Sequence, residues 1–193
     1  MRPVIWLYKG IRKKRDTMYS IRRSIDIGFS HHIRGHRGAC INLHGHTWKF
    51  EVGLMASDLD KEGFVVDFGE LKKRVLIPTH SLLDHSLALG ETMFLEVEPE
   101  LTKIGKAFLA SRVDVHGEEM PPDLTKTVLP GARNEFPGGM KVTVFDFSPT
   151  SERLSKWLYE FAVERLEGQR VRVEYGRIYE TLHPVESVGE YRP

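Results

Sequence analysis

The chain has 193 residues, with 28 Lys and Arg against 27 Asp and Glu and a formal net charge of +1. That length builds one domain with a real core, or one domain with a sizeable insertion, and the near-neutral balance gives no support to a nucleic-acid binder or an acidic tail. One cysteine excludes an internal disulfide and no apolar run approaches membrane-spanning length, so the expected setting is the cytoplasm.

Residues 1–17 read as a basic extension, with an apolar tip at Val4-Ile5-Trp6-Leu7-Tyr8 that is too short and poorly flanked for a signal peptide. The Tyr and Ile spacing over residues 18–29 predicts a strand. A glycine-containing loop with Arg34, His36 and Arg37 leads to a second strand over about 44–55. Residues 57–63 read as a turn or loop. A short helix opens at Val65-Val66-Asp67-Phe68, with Leu71 and Val75 one turn apart and Pro78 expected to stop it. Within a long middle region, Pro99 is expected to begin a helical pattern with Val97, Leu101, Ile104 and Phe108 on one face. The prolines and glycines of 114–139 predict loop, and Val142-Thr143-Val144-Phe145 a strand. From Thr150 the apolar stripe Leu154, Trp157, Leu158, Phe161 and Leu166 predicts a long helix. A further strand runs from Val171 to about Glu180. The fold class is α+β.

Five of the nine histidines and the only cysteine fall between His31 and His46. On a strand, residues two apart share a face, so His44 and His46 project together. Two imidazoles need a third ligand to hold zinc while leaving a position open for substrate, and His31 is the natural candidate. A closed, cysteine-rich structural site is excluded. Cys40 reads as a fourth ligand, a buried apolar filler or an acid/base; Arg34 and Arg37 in the same loop would lower its thiol pKa. Asp84-His85 is either a loop pair without a role or a carboxylate-oriented proton shuttle. Glu180 is either a surface carboxylate or, buried at a strand end, an acceptor for two parallel hydrogen bonds from a heterocycle.

These residues resemble one family. Cys40-Ile41-Asn42-Leu43-His44-Gly45-His46 is similar to the C-x-x-L-H-G-H signature found in the 6-carboxytetrahydropterin-forming, queuosine-pathway branch of the 6-pyruvoyl-tetrahydropterin synthase family. Ser30-His31-His32-Ile33 resembles the segment supplying that family's first zinc histidine. Val66-Asp67-Phe68-Gly69-Glu70-Leu71, Leu83-Asp84-His85, Ser148-Pro149-Thr150-Ser151-Glu152 and Glu180-Thr181 resemble its later motifs, in the family's order.

The resemblance implies a T-fold of antiparallel strands with helices on one face, ordered strand, strand, helix, insertion, helix, strand, strand. It divides the chain into the extension 1–17 and a single domain 18–193 with an insertion at about 86–147. It implies a homohexamer with sites between subunits, and Zn2+ on His31, His44 and His46. It further implies Cys40 as general base, Asp84 and His85 as proton relay, and Glu180 as pterin anchor with Thr150, Ser151 and Glu152 nearby. The implied substrate is a small molecule, 7,8-dihydroneopterin triphosphate; no membrane or nucleic-acid partner is expected. The implied products are 6-carboxytetrahydropterin, acetaldehyde and triphosphate. Pyruvoyl-tetrahydropterin synthesis and non-catalytic pterin or purine binding are the alternatives. Three features depart from the compact pattern: the basic extension, the insertion, and the absence of the usual asparagine after His85.

Overall fold

The computed structural model describes residues 18–117, 124–168, 170–183 and 185–193. The basic extension lies outside the described residues. Among those described, eight strands form one sheet in the order β4-β5-β6-β3-β1-β2-β7-β8.

Its centre is the long hairpin of β1 (Tyr19–His31) and β2 (His44–Ala56), antiparallel throughout, with Tyr19 opposite Ala56 and His31 opposite His44. Strand alternation sends Ile27, Phe29, Trp48, Phe50, Val52 and Leu54 to one face, where all are buried. Phe29 and Trp48 stack there at 4.8 Å. β7 (Val171–Thr181) pairs antiparallel with β2, and β8 (Ser187–Tyr191) closes that side of the sheet.

The helices of this half cover the apolar face. Asp67 caps α1 (Phe68–Leu71), its carboxylate accepting from the Gly69 N–H at 2.6 Å. A π-helical turn, Lys72–Leu76, joins α1 to α2 (Ile77–Leu83). Pro78 therefore does not stop the helix as expected. It lies in the first turn of α2, where its missing N–H is least costly, and the wide turn before it absorbs the mismatch. α4 (Ser151–Leu166) buries the predicted stripe of Leu154, Trp157, Leu158, Phe161 and Leu166. It packs so closely on β7 that a Cβ on Gly176 would stand 2.4 Å from the Ser155 carbonyl oxygen. Only glycine fits there.

The middle region is more ordered than its sequence suggests. β3 (Leu87–Gly90) runs parallel to β1, and β6 (Val142–Phe145) runs parallel to β3. The sheet is thus mixed rather than purely antiparallel. β4 (Val128–Leu129) and β5 (Ala132–Glu135) occupy part of the expected loop, joined at Pro130-Gly131, where Gly131 takes φ 69°. Those two residues punctuate a hairpin instead of marking irregular chain.

The middle helix, α3 (Glu91–His116), starts well before Pro99, which sits inside it. Packing overrides the local break: Phe94 and Leu101, on either side of the proline, are buried with Leu89, Val142 and Val144. Because Ala88 and Phe145 point into the main core, α3 covers the opposite face of the sheet. The expectation of helices on one face holds for β1, β2, β7 and β8 and fails for β3 and β6.

Candidate metal centre

Alternation along the central hairpin carries three imidazoles onto the apolar face at one end of the sheet. His31 ends β1 and His44 opens β2 directly opposite it, while His46 pairs with Phe29 one step inward. Trp48 underlies them, its ring 4.8 Å from His31 and 5.3 Å from His46. Glu180, near the end of β7, completes the group. One ligand atom from each of His31, His44, His46 and Glu180 lies within 4.8 Å of all the others. Glu180 Oε1 is 3.7 Å from His31 Nε2 and 3.6 Å from His46 Nε2.

Hydrogen bonding fixes which nitrogens face inward. His31 Nδ1 is 3.1 Å from the Pro149 carbonyl oxygen, and His44 Nδ1 is 2.8 Å from that of Asn42. A carbonyl only accepts, so both Nδ1 atoms carry a proton, and in neutral rings both Nε2 atoms then present lone pairs. Those two Nε2 atoms stand 3.0 Å apart. Facing lone pairs repel unless a cation lies between them. His46 Nε2 is buried with no hydrogen-bond partner among the described residues. Burial, opposed next by the Pro149 carbonyl and then aided by the neighbouring imidazoles, lowers the His31 pKa to about 4. Burial also lowers that of His46, against the opposing charge of Glu180. Neutral imidazoles with converging nitrogens beside a carboxylate can bind a metal ion, and the donor set suits zinc.

Other residues singled out in the sequence stand elsewhere. Cys40 sits partly buried in the 3-10 turn Ala39–Ile41, its carbonyl accepting from the Ile33 N–H at 3.0 Å, and is not a member of the cluster. Arg34 does not serve the thiol. Its guanidinium makes a two-pronged ion pair with Glu96 of α3, at 3.0 and 2.6 Å. Asp84 and His85 also lie outside the cluster, yet their side chains do meet, with His85 Nδ1 2.9 Å from Asp84 Oδ2. His85 lines an open cleft of about 640 Å3 with Gly28, Ser30, Gly45 and Thr47, and the cleft reaches His46. Thr150 is the N-cap of α4, accepting from the Arg153 N–H at 3.4 Å, and Ser151 donates to Glu152 at 3.5 Å.

Pro149, just before that cap, is the residue the sequence reading missed. Its carbonyl orients His31 from 118 positions away. The only signal was its place inside the Ser148–Glu152 motif, where attention goes to the side chains.

The 6-pyruvoyl tetrahydropterin synthase family matches residues 20–190, and the chain belongs to that family. Among curated relatives, the 6-carboxy-5,6,7,8-tetrahydropterin synthase of Rickettsia typhi is 38% identical over 74 residues, covering 38% of this chain and 54% of that protein. The enzyme of the same name from Aquifex aeolicus is 27% identical over 130 residues, covering 66% of this chain and 59% of that protein. The chain thus spans little more than half the length of the curated relatives it matches. An uncharacterized Wolinella succinogenes protein of known structure superposes with a TM-score of 0.65 at 22% identity, covering 91% of this chain and 98% of that one. The 6-pyruvoyl tetrahydropterin synthase of Caenorhabditis elegans does so at 0.51 and 15%, covering 92% and 96%. These structures establish the shared T-fold.

Proposed function

We propose that this chain is a zinc-dependent carbon–carbon lyase. It would convert 7,8-dihydroneopterin triphosphate and water to 6-carboxy-5,6,7,8-tetrahydropterin, acetaldehyde and triphosphate, as a cytoplasmic step toward queuosine. The observation that carries the reading is the pair of imidazoles whose Nδ1–H groups are committed to carbonyls, leaving His31 and His44 Nε2 facing each other at 3.0 Å. The name shared by the curated relatives supports the choice of product.

In this reading His31, His44 and His46 hold the zinc, which supplies Lewis-acid polarisation of the substrate's side-chain hydroxyls. Glu180, adjacent to the imidazoles, accepts two parallel hydrogen bonds from the pterin's amino group and ring N–H, setting its side chain toward the metal. Cys40 takes a proton from the substrate side chain, and His85, oriented by Asp84, moves protons to and from the oxygens. Thr150 and Ser151, half-buried at the start of α4, flank the heterocycle with the exposed Glu152. Within one chain Cys40 and the Asp84-His85 pair stand outside the metal cluster. A homohexamer with sites completed between subunits is therefore part of the proposal.

The test is metal analysis and product mass after incubation with dihydroneopterin triphosphate, on wild type, His46→Ala and Cys40→Ala. The expected result is loss of zinc in His46→Ala, and retained zinc without turnover in Cys40→Ala. Wild-type product lacking a two-carbon fragment of the side chain supports the carboxy reading. A product keeping that fragment assigns pyruvoyl synthesis instead, and binding without any turnover leaves a pterin-binding protein.

A further inference from the structure

The inserted strands act on the end of α2. A helix leaves its last carbonyls without partners, and α2 ends immediately before Asp84-His85. Two of those carbonyls, and that of the Asp84 cap, are taken by side chains from the inserted region. Lys141 Nζ donates to the Ser81 carbonyl at 2.9 Å and to the Asp84 carbonyl at 2.8 Å. Asn134 Nδ2 and Thr143 Oγ1 each stand 2.8 Å from the Leu82 carbonyl, and both residues are fully buried. A cation at this end also complements the helix dipole.

The bond to Asp84 matters most. The Asp84 carbonyl and the His85 N–H are the two polar ends of one peptide plane. Lys141 holds the oxygen, and the Gly28 carbonyl on β1 accepts from the N–H at 2.9 Å. That plane is gripped from both sides, one grip from the central hairpin of the sheet and one from the insertion. His85 needs the grip, because it is the one non-glycine residue among those described with a positive φ, at 55°. In this conformation its ring turns back onto the Asp84 carboxylate, which an extended pair of neighbours would not allow. The main chain of Lys141 is itself tied down, its carbonyl accepting from the Leu87 N–H at 3.2 Å where β3 begins.

We infer that Lys141 is a positioning residue for the Asp84-His85 pair, and that the insertion serves the site through it. Lys141 does not itself handle a proton of the substrate. It fixes the peptide plane that sets the His85 ring on its carboxylate. The inference rests on the reading of Asp84-His85 as the proton relay in the function proposed above. Asp84 carries a second imidazole contact, with His80 Nε2 at 3.8 Å from Oδ1, and Arg112 of α3 lines the cleft shared by Asp84, His85 and Lys141. Neither reaches the Asp84 carbonyl, so neither duplicates the role of Lys141.

The experiment uses Lys141→Met and Lys141→Arg, each in the wild-type and His85→Ala backgrounds. It reads hydrogen exchange of the His85 amide, zinc content, and kcat and KM with dihydroneopterin triphosphate. Lys141→Met is expected to speed exchange at His85 by about tenfold while the amides of β2 keep their protection. Its kcat falls by about tenfold or more with KM and zinc content held, as misplacement of an acid/base group predicts. Lys141→Arg restores most of both. In the His85→Ala background Lys141→Met costs no further kcat, because the two act as one unit. Unchanged exchange at His85, or the same fractional loss of kcat in both backgrounds, overturns the inference. If Lys141→Met does not melt cooperatively, Lys141→Gln takes its place, keeping one donor. Should wild type show no turnover of the pterin, the functional reading fails, and amide exchange alone decides whether Lys141 holds the pair.

Discussion

Strands β2 and β7 carry two polar clusters, each containing a glutamate, and the two differ in whether their polar atoms are matched. At one site Glu51, 7% exposed, accepts from the Tyr175 hydroxyl at 3.0 Å and from Arg177 Nη1 at 2.9 Å. Arg177 continues to Glu190 and to the Tyr179 hydroxyl, and its guanidinium lies over the Tyr175 ring. At the other site three imidazoles crowd one carboxylate, one nitrogen has no hydrogen-bond partner among the described residues, and two nitrogens face each other at 3.0 Å. The first cluster is complete as it stands: Arg22, Arg177 and Arg192 stand against Glu51, Glu174 and Glu190, so its charges cancel within the fold. The second is complete only with a cation. A glutamate on a central strand therefore says nothing by itself about function; the matching of the atoms around it does.

Breaking the unmatched cluster should have the largest effect. His31→Ala removes a ligand and is expected to lower zinc affinity by more than about 100-fold, measured by competition with a chelating dye. Thermal melting of the metal-free form should change far less than that of the zinc-loaded form.

Acid sharpens the same contrast. His31 in the folded, metal-free protein has its pKa lowered to about 4 from an ordinary 6.5. The unfolded chain binds the proton first, so stability is full above pH 6.5 and is lost as pH falls toward 4. That loss reaches up to about 3 kcal/mol in urea titrations of chelator-treated protein. His31→Ala should flatten the profile. A profile unchanged by the substitution would remove His31 as its source.

The matched cluster should respond differently. Arg177→Met leaves Glu51 with one donor and is expected to cost about 2 kcal/mol of stability, with zinc binding unchanged. Tyr175→Phe should cost about 1 kcal/mol, again without a change in zinc. Burial, and then the hydrogen bond to Glu51, raise the Tyr175 pKa to about 12. The stability its neutral form contributes is therefore intact below pH 10 and lost as pH rises from 10 through 12. Tyr175→Phe should abolish that alkaline component of the denaturation curve.

Much of the central fold is legible in the sequence because its patterns are local and regular. The alternation through Trp48, Phe50, Val52 and Leu54 defines β2, and the 3.6-residue stripe from Leu154 to Leu166 defines α4. The same alternation places His44 and His46 on one face. What escaped the reading is what neighbours override. Pro78 and Pro99 look like boundaries, yet a π turn and a buried flank carry the helix past each. Pro130-Gly131 looks like loop until β6 supplies β5 with a partner. Arg34 looks like a neighbour of Cys40, but Glu96, 62 positions on, holds it. The contact between Asp84 and His85 depends on one left-handed residue, a conformation that histidine adopts more often than most residues but too seldom to be expected at a given position.

Gly176 links the packing of the sheet to the chemistry of its end. α4 lies on that glycine at a spacing that leaves no room for a methyl group, and its first residue follows two after the carbonyl that orients His31. Ser155, the point of contact, is one turn into α4, so a single added carbon must push helix and strand apart close to the end where the Pro149 carbonyl meets His31. A substitution at Gly176 is therefore expected to disturb that imidazole as well as the packing.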